Sequence, residues 1–523
     1  MGGPAVSGRA VDYADVQGLV RFGYGSMTEA TYALLRIRNA AAARAWLSSA
    51  PITSAVTMKP PPATALHVGF TAPGLEALGV PAAVLAGFSS EFRLGMTEAS
   101  RARRLGDVGS NAPSGWIWGG TSAPHLLVMF IAERDGLETF VQRATGAVWH
   151  DAFDDPPHWL PTGNLGGLEP FGFADGISQP HLDWEGEHAP SAGVADYGNL
   201  VALGEFLLGY RNEYGKYTDR PLVEADSSTA ALLDADDAPG KKDVARNGTY
   251  LVMRQLQQDV RRFWQFVHAQ SGGNWVETER LAAAMVGRTR AGEPLVPIED
   301  RAIPGTGPKA DELARNQFTF DRDPAGVSCP FGAHIRRANP RNADYPGGET
   351  GLRRLVAALG LGPNQFGRDL ISSVRFHRVL RRGREYGPGL SPSDALAPAP
   401  VDDPERGLHF VCLNANISRQ FEFLQNAWMM NTKFSALTGE SDPLLGNRSE
   451  IEGCPATADF TMPARDGVRQ RVSNLPQFVT VRGGAYFFLP SLRALSYFAR
   501  GSAVDRGGIH LAASRESRPP ESR

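Results

Sequence analysis

Cysteine is scarce. Cys329, Cys412 and Cys454 are the only three in 523 residues, too few and too scattered for a disulfide framework. A reducing compartment and a cysteine-poor secreted protein both fit that count. Long apolar runs are missing as well: no window approaches the ~18 residues that span a bilayer, so no membrane span is expected. The opening stretch, MGGPAVSGRAVDYADVQG, has neither the basic nor the apolar part of a secretory leader, and no twin-arginine signal. The simplest expectation is a soluble cytoplasmic protein. A charge excess is lacking too. Fifty-three basic and 56 acidic side chains leave a net charge of −3, which argues against a broad nucleic-acid surface. GxxxxGK[ST], GxSxG, HExxH, CxxC and CxxCH do not occur. The usual signatures of nucleotide hydrolysis, serine hydrolysis, zincin chemistry and covalent haem attachment are therefore absent.

What is present suits large packed cores. Hydrophobic residues make up 42% and charged residues 21%, outside the range of disordered chains. Fifty-eight glycines and 38 prolines cut the chain into short elements and disfavour long-helix architectures. Tyr32–Ile37, Leu66–Phe70 and His125–Ala132 read as strands. Ala40–Ser49, the stretch GLEALGVPAAVLAGF and Leu137–Ala144 read as helices. Glu224–Asp243 is acidic and polar and reads as a surface excursion or interdomain segment. The rhythm then restarts, with strands at Thr249–Arg254, Leu408–Leu413, Phe478–Val481 and Ala485–Leu489, and helices at Asp259–His268 and Ser418–Met430. A strand–helix–strand pattern in each half suggests one α+β fold used twice. Arg515–Arg523 reads as a polar tail.

Three segments concentrate chemistry. EPFGFADGISQP, at 169–180, holds Asp175 inside Gly172-x-x-Asp175-Gly176, flanked by Phe171 and Phe173. The plain reading is a turn with a capping aspartate. The sharper one is a carboxylate in an aromatic-lined loop, its pKa raised, able to shuttle a proton. CPFGAHIRRANPR, at 329–341, places His334 after small residues, where a flat macrocycle could approach and ligate through iron. Satisfying backbone groups in a proline-framed loop would explain the same histidine. Arg336, Arg337 and Arg341 are candidate partners for phosphate or propionate, and equally candidates for solvation. FHRVLRRGREYG, at 376–387, reads as a strand with His377, Val379 and Arg381 on one face and Arg378, Leu380 and Arg382 on the other. An inward arginine there needs an anion or polar ligand; an exposed edge strand is the alternative.

In this order, the three segments resemble the dye-decolorizing (DyP-type) peroxidases. DVQGLVRFGYG, GEFLLGYRNEYGKYTDRPL and NGTYLVMRQLQQDVRRFWQF support the likeness, which runs from about Asp15 to Phe498. The resemblance implies two ferredoxin-like domains, each an antiparallel sheet with peripheral helices: 12–235 carrying the GxxDG loop and 246–500 holding haem b, followed by a 501–523 tail. It implies His334 as the iron ligand, Asp175 as acid/base and Arg381 as the cation facing peroxide. Arg336, Phe173 and Gly176 would contact the cofactor, and Tyr386 would be an electron relay near the surface. Hydrogen peroxide would convert the haem to an oxoferryl radical that oxidises dyes, phenols or similar bulky aromatic reductants, best in mild acid. A haem-handling or haem-iron delivery role is the alternative, and an oligomer is compatible with either. Two departures stand out. His334 and Arg381 lie farther apart than in compact members, implying an insertion over 345–369, with Arg382 as the alternative cation. Asn416 stands where many relatives carry an acidic residue, which would leave His334 less imidazolate-like if that position contacts it.

Overall fold

The computed structural model describes residues 10–186, 199–298, 311, 314–341, 373–449 and 458–501. The expected insertion over 345–369, the polar tail beyond Gly501 and Cys454 lie outside these residues.

In the first half, β1 (Glu29–Leu35), α1 (Ala40–Ser49), β2 (Thr64–Phe70), β3 (Leu126–Ala132), α2 (Leu137–Ala144) and β4 (His158–Pro161) follow one another. The strands pair antiparallel in the order β4-β1-β3-β2. The second half repeats the plan. It runs through β5 (Thr249–Gln258), α3 (Val260–Gln270), β6 (Leu380–Arg381), β7 (Arg384–Tyr386), β8 (Gly407–Asn414), a wide helical stretch over Ser418–Glu422 and Leu424–Met430, and β9 (Val479–Leu489). Its order is β6-β8-β5-β9, with β7 also on β8. Each half is thus a β-α-β-β-α-β unit of ferredoxin-like order, and the α+β expectation holds. The halves join edge to edge, Phe488 of β9 meeting Phe70 of β2, to give one nine-stranded sheet.

Strand alternation puts both faces of this sheet to use. Leu126, Val128 and Phe130 of β3 pack into one core with α1, whereas Leu127, Met129 and Ile131 pack into the other. On β5, Tyr250 and Val252 share the first core, and the same row continues through Arg254, Leu256 and Gln258 into a cavity wall. The helices start where their caps predict. Asn39 Oδ1 accepts the N–H groups of Ala41 and Ala42 at the head of α1, and Asp259 accepts that of Arg262 at the head of α3. Val260, Phe263, Trp264 and Val267 form the buried stripe of α3, each contributing roughly 1.5–3 kcal/mol on burial.

Four expectations change. GLEALGVPAAVLAGF is two short helices, Ala72–Ala77 and Ala82–Ala86, parted where Gly79 takes a φ of 89° and Pro81 cannot continue the first helix. Glu224–Asp243 is no mere linker. Its ends and middle form a small sheet with Leu222–Glu224, which Arg220 ties down by an ion pair to Asp243 at 2.5 Å. The two strands expected between Phe478 and Leu489 are one, β9, with a register shift opposite Gln255/Leu256. A bulge there lets the chain pass Trp118, whose ring would lie 2.5 Å from any Cβ at Gly483. The alternating strand expected over 376–387 is broken into the helix Ser373–Phe376, β6 and β7. Gly383 marks the break because a Cβ there would fall 2.4 Å from the His409 carbonyl.

Candidate active site

A cavity of about 300 Å³ lies between this sheet face and the loops around Asp175 and His334. One wall is proximal to His334, which opens the short helix α4 (His334–Ala338). Its Nδ1 donates to Asp442 Oδ2 at 3.0 Å, because a carboxylate only accepts. Nε2 is therefore the nitrogen left to bind a ligand. Asp442 is fully buried, and its Oδ1 accepts the N–H groups of Leu444 and Leu445 at 2.9 and 2.8 Å. Burial alone would raise this carboxyl. The imidazole, the Leu445 N–H and the Arg337 charge outweigh burial and hold it below its usual range. For His334, burial acts to lower the pKa, and Asp442 reverses that into a net rise.

Behind His334, Arg337 is fully buried. It donates to the carbonyls of Trp428, Asn431 and Glu440, so it locks the proximal wall rather than facing the cavity. Arg336 is turned away as well. Its guanidinium donates to Asp323 Oδ2 at 3.1 Å and to the Cys329 carbonyl at 2.6 Å, between the rings of Phe320 and Phe331. This geometry does not bring Arg336 to the cavity for the expected cofactor contact: three acceptors and two rings already engage it. Arg288 and Arg341 do line the cavity. Burial and the neighbouring Arg341 charge push Arg288 down to about 10, as expected of two buried cations side by side.

Across the cavity stand Asp175 and Arg381. Arg381 Nη1 donates to Asp175 Oδ1 at 2.8 Å, and Nη2 to the Ser178 carbonyl at 3.2 Å. Gln179 holds the two elements in register: its Oε1 accepts the Arg381 N–H at 3.0 Å, and its Nε2 donates to the Arg381 carbonyl at 3.2 Å. The Asp175 side chain keeps 43% of its surface open, but that surface faces the walled cavity, so protein groups dominate its field. Burial acts to raise this carboxyl. The Arg381 guanidinium and the Gly176 N–H, 2.6 Å from Oδ1, overcome it and leave the pKa below the ordinary value. The expected rise in the Asp175 pKa is therefore reversed. Gly176 does not line the cavity; it takes a φ of 77° and turns the loop so that its N–H meets the carboxylate. Phe173 does line the cavity, stacked on Trp264 with ring centres 6.3 Å apart.

Arg382, the alternative cation, points to the other side of the sheet, where it donates to the carbonyls of Leu19 and Val20. Tyr386 is only 8% exposed, which corrects its expected place near the surface. It stacks on His409 at 4.5 Å between ring centres and donates to Glu405 Oε1 at 2.8 Å. Asn416 does not meet His334; its Oδ1 caps the helical turn at Arg419. The acidic partner is Asp442, 108 residues from His334 in sequence, a separation that no local pattern marks. Gln179 and Glu169 were also missed as site residues, although both sit inside the quoted EPFGFADGISQP.

These residues fit a haem. One imidazole nitrogen is free, apolar groups such as Phe173, Leu256, Phe410 and Leu444 line the walls, and Arg288 and Arg341 add positive charge to the lining. Among the described residues no group of three or more His, Cys, Asp or Glu could hold a bare metal ion, whereas a porphyrin iron needs a single axial donor. None of the described helices is long and apolar enough to cross a membrane.

A histidine with one free ring nitrogen and a carboxylate–guanidinium pair share one cavity, on two ferredoxin-like units. No protein-family model matches the chain, but individual relatives do. A dye-decolorizing peroxidase of Mycetinis scorodonius is 29% identical over 518 residues, 94% of this chain and 88% of the relative. One of Auricularia auricula-judae is 27% identical over 94% of this chain and 87% of its own length. A crystal structure of the Auricularia auricula-judae DyP-type peroxidase superposes with a TM-score of 0.68 at 25% identity, covering 94% of this chain and all of that one. A dye-decolorizing peroxidase in complex with 2,6-dimethoxyphenol gives 0.66 at 25% identity. Over most of its length the chain is thus similar to dye-decolorizing peroxidases, and these likenesses support an oxidoreductase of the peroxidase class.

Proposed function

We propose that the chain binds haem b through His334 and uses hydrogen peroxide to oxidise dyes, phenols or similar bulky aromatic reductants. The observation that carries this reading is the placement of Asp175 and Arg381, 2.8 Å apart, across the cavity from His334. Haem, when bound, supplies the electrons that split the peroxide O–O bond and stores the resulting oxidising equivalents. The chain's own residues do the rest. Asp175, held ionised, takes the proton from the near oxygen of peroxide and returns it to the far oxygen, so that water leaves. Arg381 keeps its charge throughout and steadies the negative charge that grows on the departing oxygen. Asp442 keeps Nδ1 of His334 as a donor and raises the basicity of Nε2.

Tyr386 is the proposed electron relay. Its contact with Glu405 gives the phenolic proton an acceptor when an electron leaves, although its burial means that a bulky donor meets other groups first. The division into 12–235 and 246–500 belongs to the same proposal. The test measures peroxide-dependent dye turnover by haem-loaded protein beside the rate of haem loss to apomyoglobin. Fast turnover with slow loss is expected. Rapid haem release without turnover would overturn the peroxidase reading in favour of haem delivery.

A further inference from the structure

Within the GxxDG loop, Glu169 is placed unlike an ordinary surface acid. Its Oε2 accepts the Phe171 N–H at 3.0 Å and Gln258 Nε2 at 2.8 Å, and its Oε1 accepts the Phe173 N–H at 2.9 Å. Its own backbone N–H donates to the Phe173 carbonyl at 2.9 Å. The carboxylate thus closes the loop on itself and ties it to β5, the strand that carries Gln258. Two residues beyond Phe173 comes Asp175, whose N–H is bound to the Gly167 carbonyl at 2.9 Å. Arg381 is fixed independently by Gln179 and by the sheet.

Taking the Asp175–Arg381 pair as the peroxide-activating couple proposed above, we propose that Glu169 is a positioning residue that holds Asp175 against Arg381. The clamp needs both carboxyl oxygens as acceptors. A protonated carboxyl still offers them, with its proton on the remaining lone pair of Oε1. An amide does not, because its NH₂ would face a donor. Displacing a reacting group by about 1 Å costs up to ~100-fold in rate, so the clamp has leverage on catalysis without touching peroxide.

The test uses haem-loaded full-length Glu169→Ala, Glu169→Gln and Gln258→Ala. It reads the stopped-flow rate of the peroxide reaction against pH, together with haem content and Tm. The charged groups acting on Asp175 are Arg381, His334 and Glu169 itself. Burial pushes the Glu169 carboxyl up to about 7, so near the acid limb it is already uncharged and its loss by itself leaves the Asp175 pKa unmoved. Losing the Arg381 contact would raise it toward the ordinary value of ~3.9. Movement of the limb therefore separates the two effects. Glu169→Ala is expected to slow the reaction by ~10- to 100-fold with wild-type haem content and an acid limb moved upward. Gln258→Ala is expected to do the same more weakly. Should Glu169→Ala fail to fold, Glu169→Gln decides on the same readings. A lower Tm with an unmoved or downward limb and a wild-type rate overturns the positioning role. A wild-type rate in Asp175→Asn would instead sink the reading on which it rests.

Discussion

The two walls of the cavity are built for opposite purposes. On the proximal side, His334 leans on a fully buried carboxylate whose other oxygen is taken by backbone N–H groups. Buried arginines tie the surrounding turns: Arg337 grips three carbonyls, and Arg448 holds those of Asp442 and Pro443. Little there can move or exchange a proton with a ligand. Across the cavity, Asp175 and Arg381 keep 43% and 35% of their side-chain surfaces open, and their mutual bond can be surrendered to an incoming molecule. The contrast shows how one site meets two demands. An axial ligand must hold still and keep its basicity, whereas an acid/base pair must be ionised, aligned and reachable.

The largest break in this comparison comes from the open wall. Asp175→Asn keeps shape and removes the proton acceptor, so stopped-flow peroxide reaction should slow by ~10²- to 10⁴-fold. Arg381→Leu should cost ~10²- to 10³-fold, with haem content near wild type in both. Asp442→Asn strikes the closed wall. There the expected effect is about 10- to 100-fold weaker haem retention, measured by transfer to apomyoglobin, and a higher iron reduction potential as the imidazole loses basicity.

A pH titration sharpens the comparison. Asp175 has its folded pKa lowered by Arg381 despite burial. Its ionised form therefore persists as pH falls through mild acid and is lost only below the ordinary carboxylate range. Peroxide reactivity should hold across mild acid and fall at low pH. Arg381→Leu should shift that fall upward.

Arg336→Ala tests the residue that the structure moves out of the site. It should lower Tm, because Asp323 is left as an uncompensated buried charge at a cost of roughly 3–5 kcal/mol. Dye turnover per bound haem should stay within about twofold of wild type, since neither walls nor edge of the cavity lose a contact.

Much of this was legible in the sequence because the information was local. Short apolar runs marked β2, β3, β5 and β8, and Asp175, His334 and Arg381 each stood inside a dense short motif. What stayed hidden depended on distance or on what a polar group had already found. Asp442 reaches His334 across 108 residues. The motif arginines looked alike, yet Arg336 is spent on Asp323 while Arg341 lines the cavity. Tyr386 was expected near the surface on the resemblance alone, whereas it stacks on His409 and donates to Glu405. The bulge in β9 answered to Trp118, a ring from the other half of the chain, which no window of sequence around Gly483 contains.

The claim on which the rest depends is that the imidazole of residue 334 is the iron's axial ligand, with the acid/base pair on the opposite face. The direct measurement is the Soret spectrum of haem-reconstituted His334→Gly, recorded with and without added imidazole. The account predicts that the wild-type band is lost and that free imidazole restores it. A variant that shows the wild-type band without imidazole would contradict it.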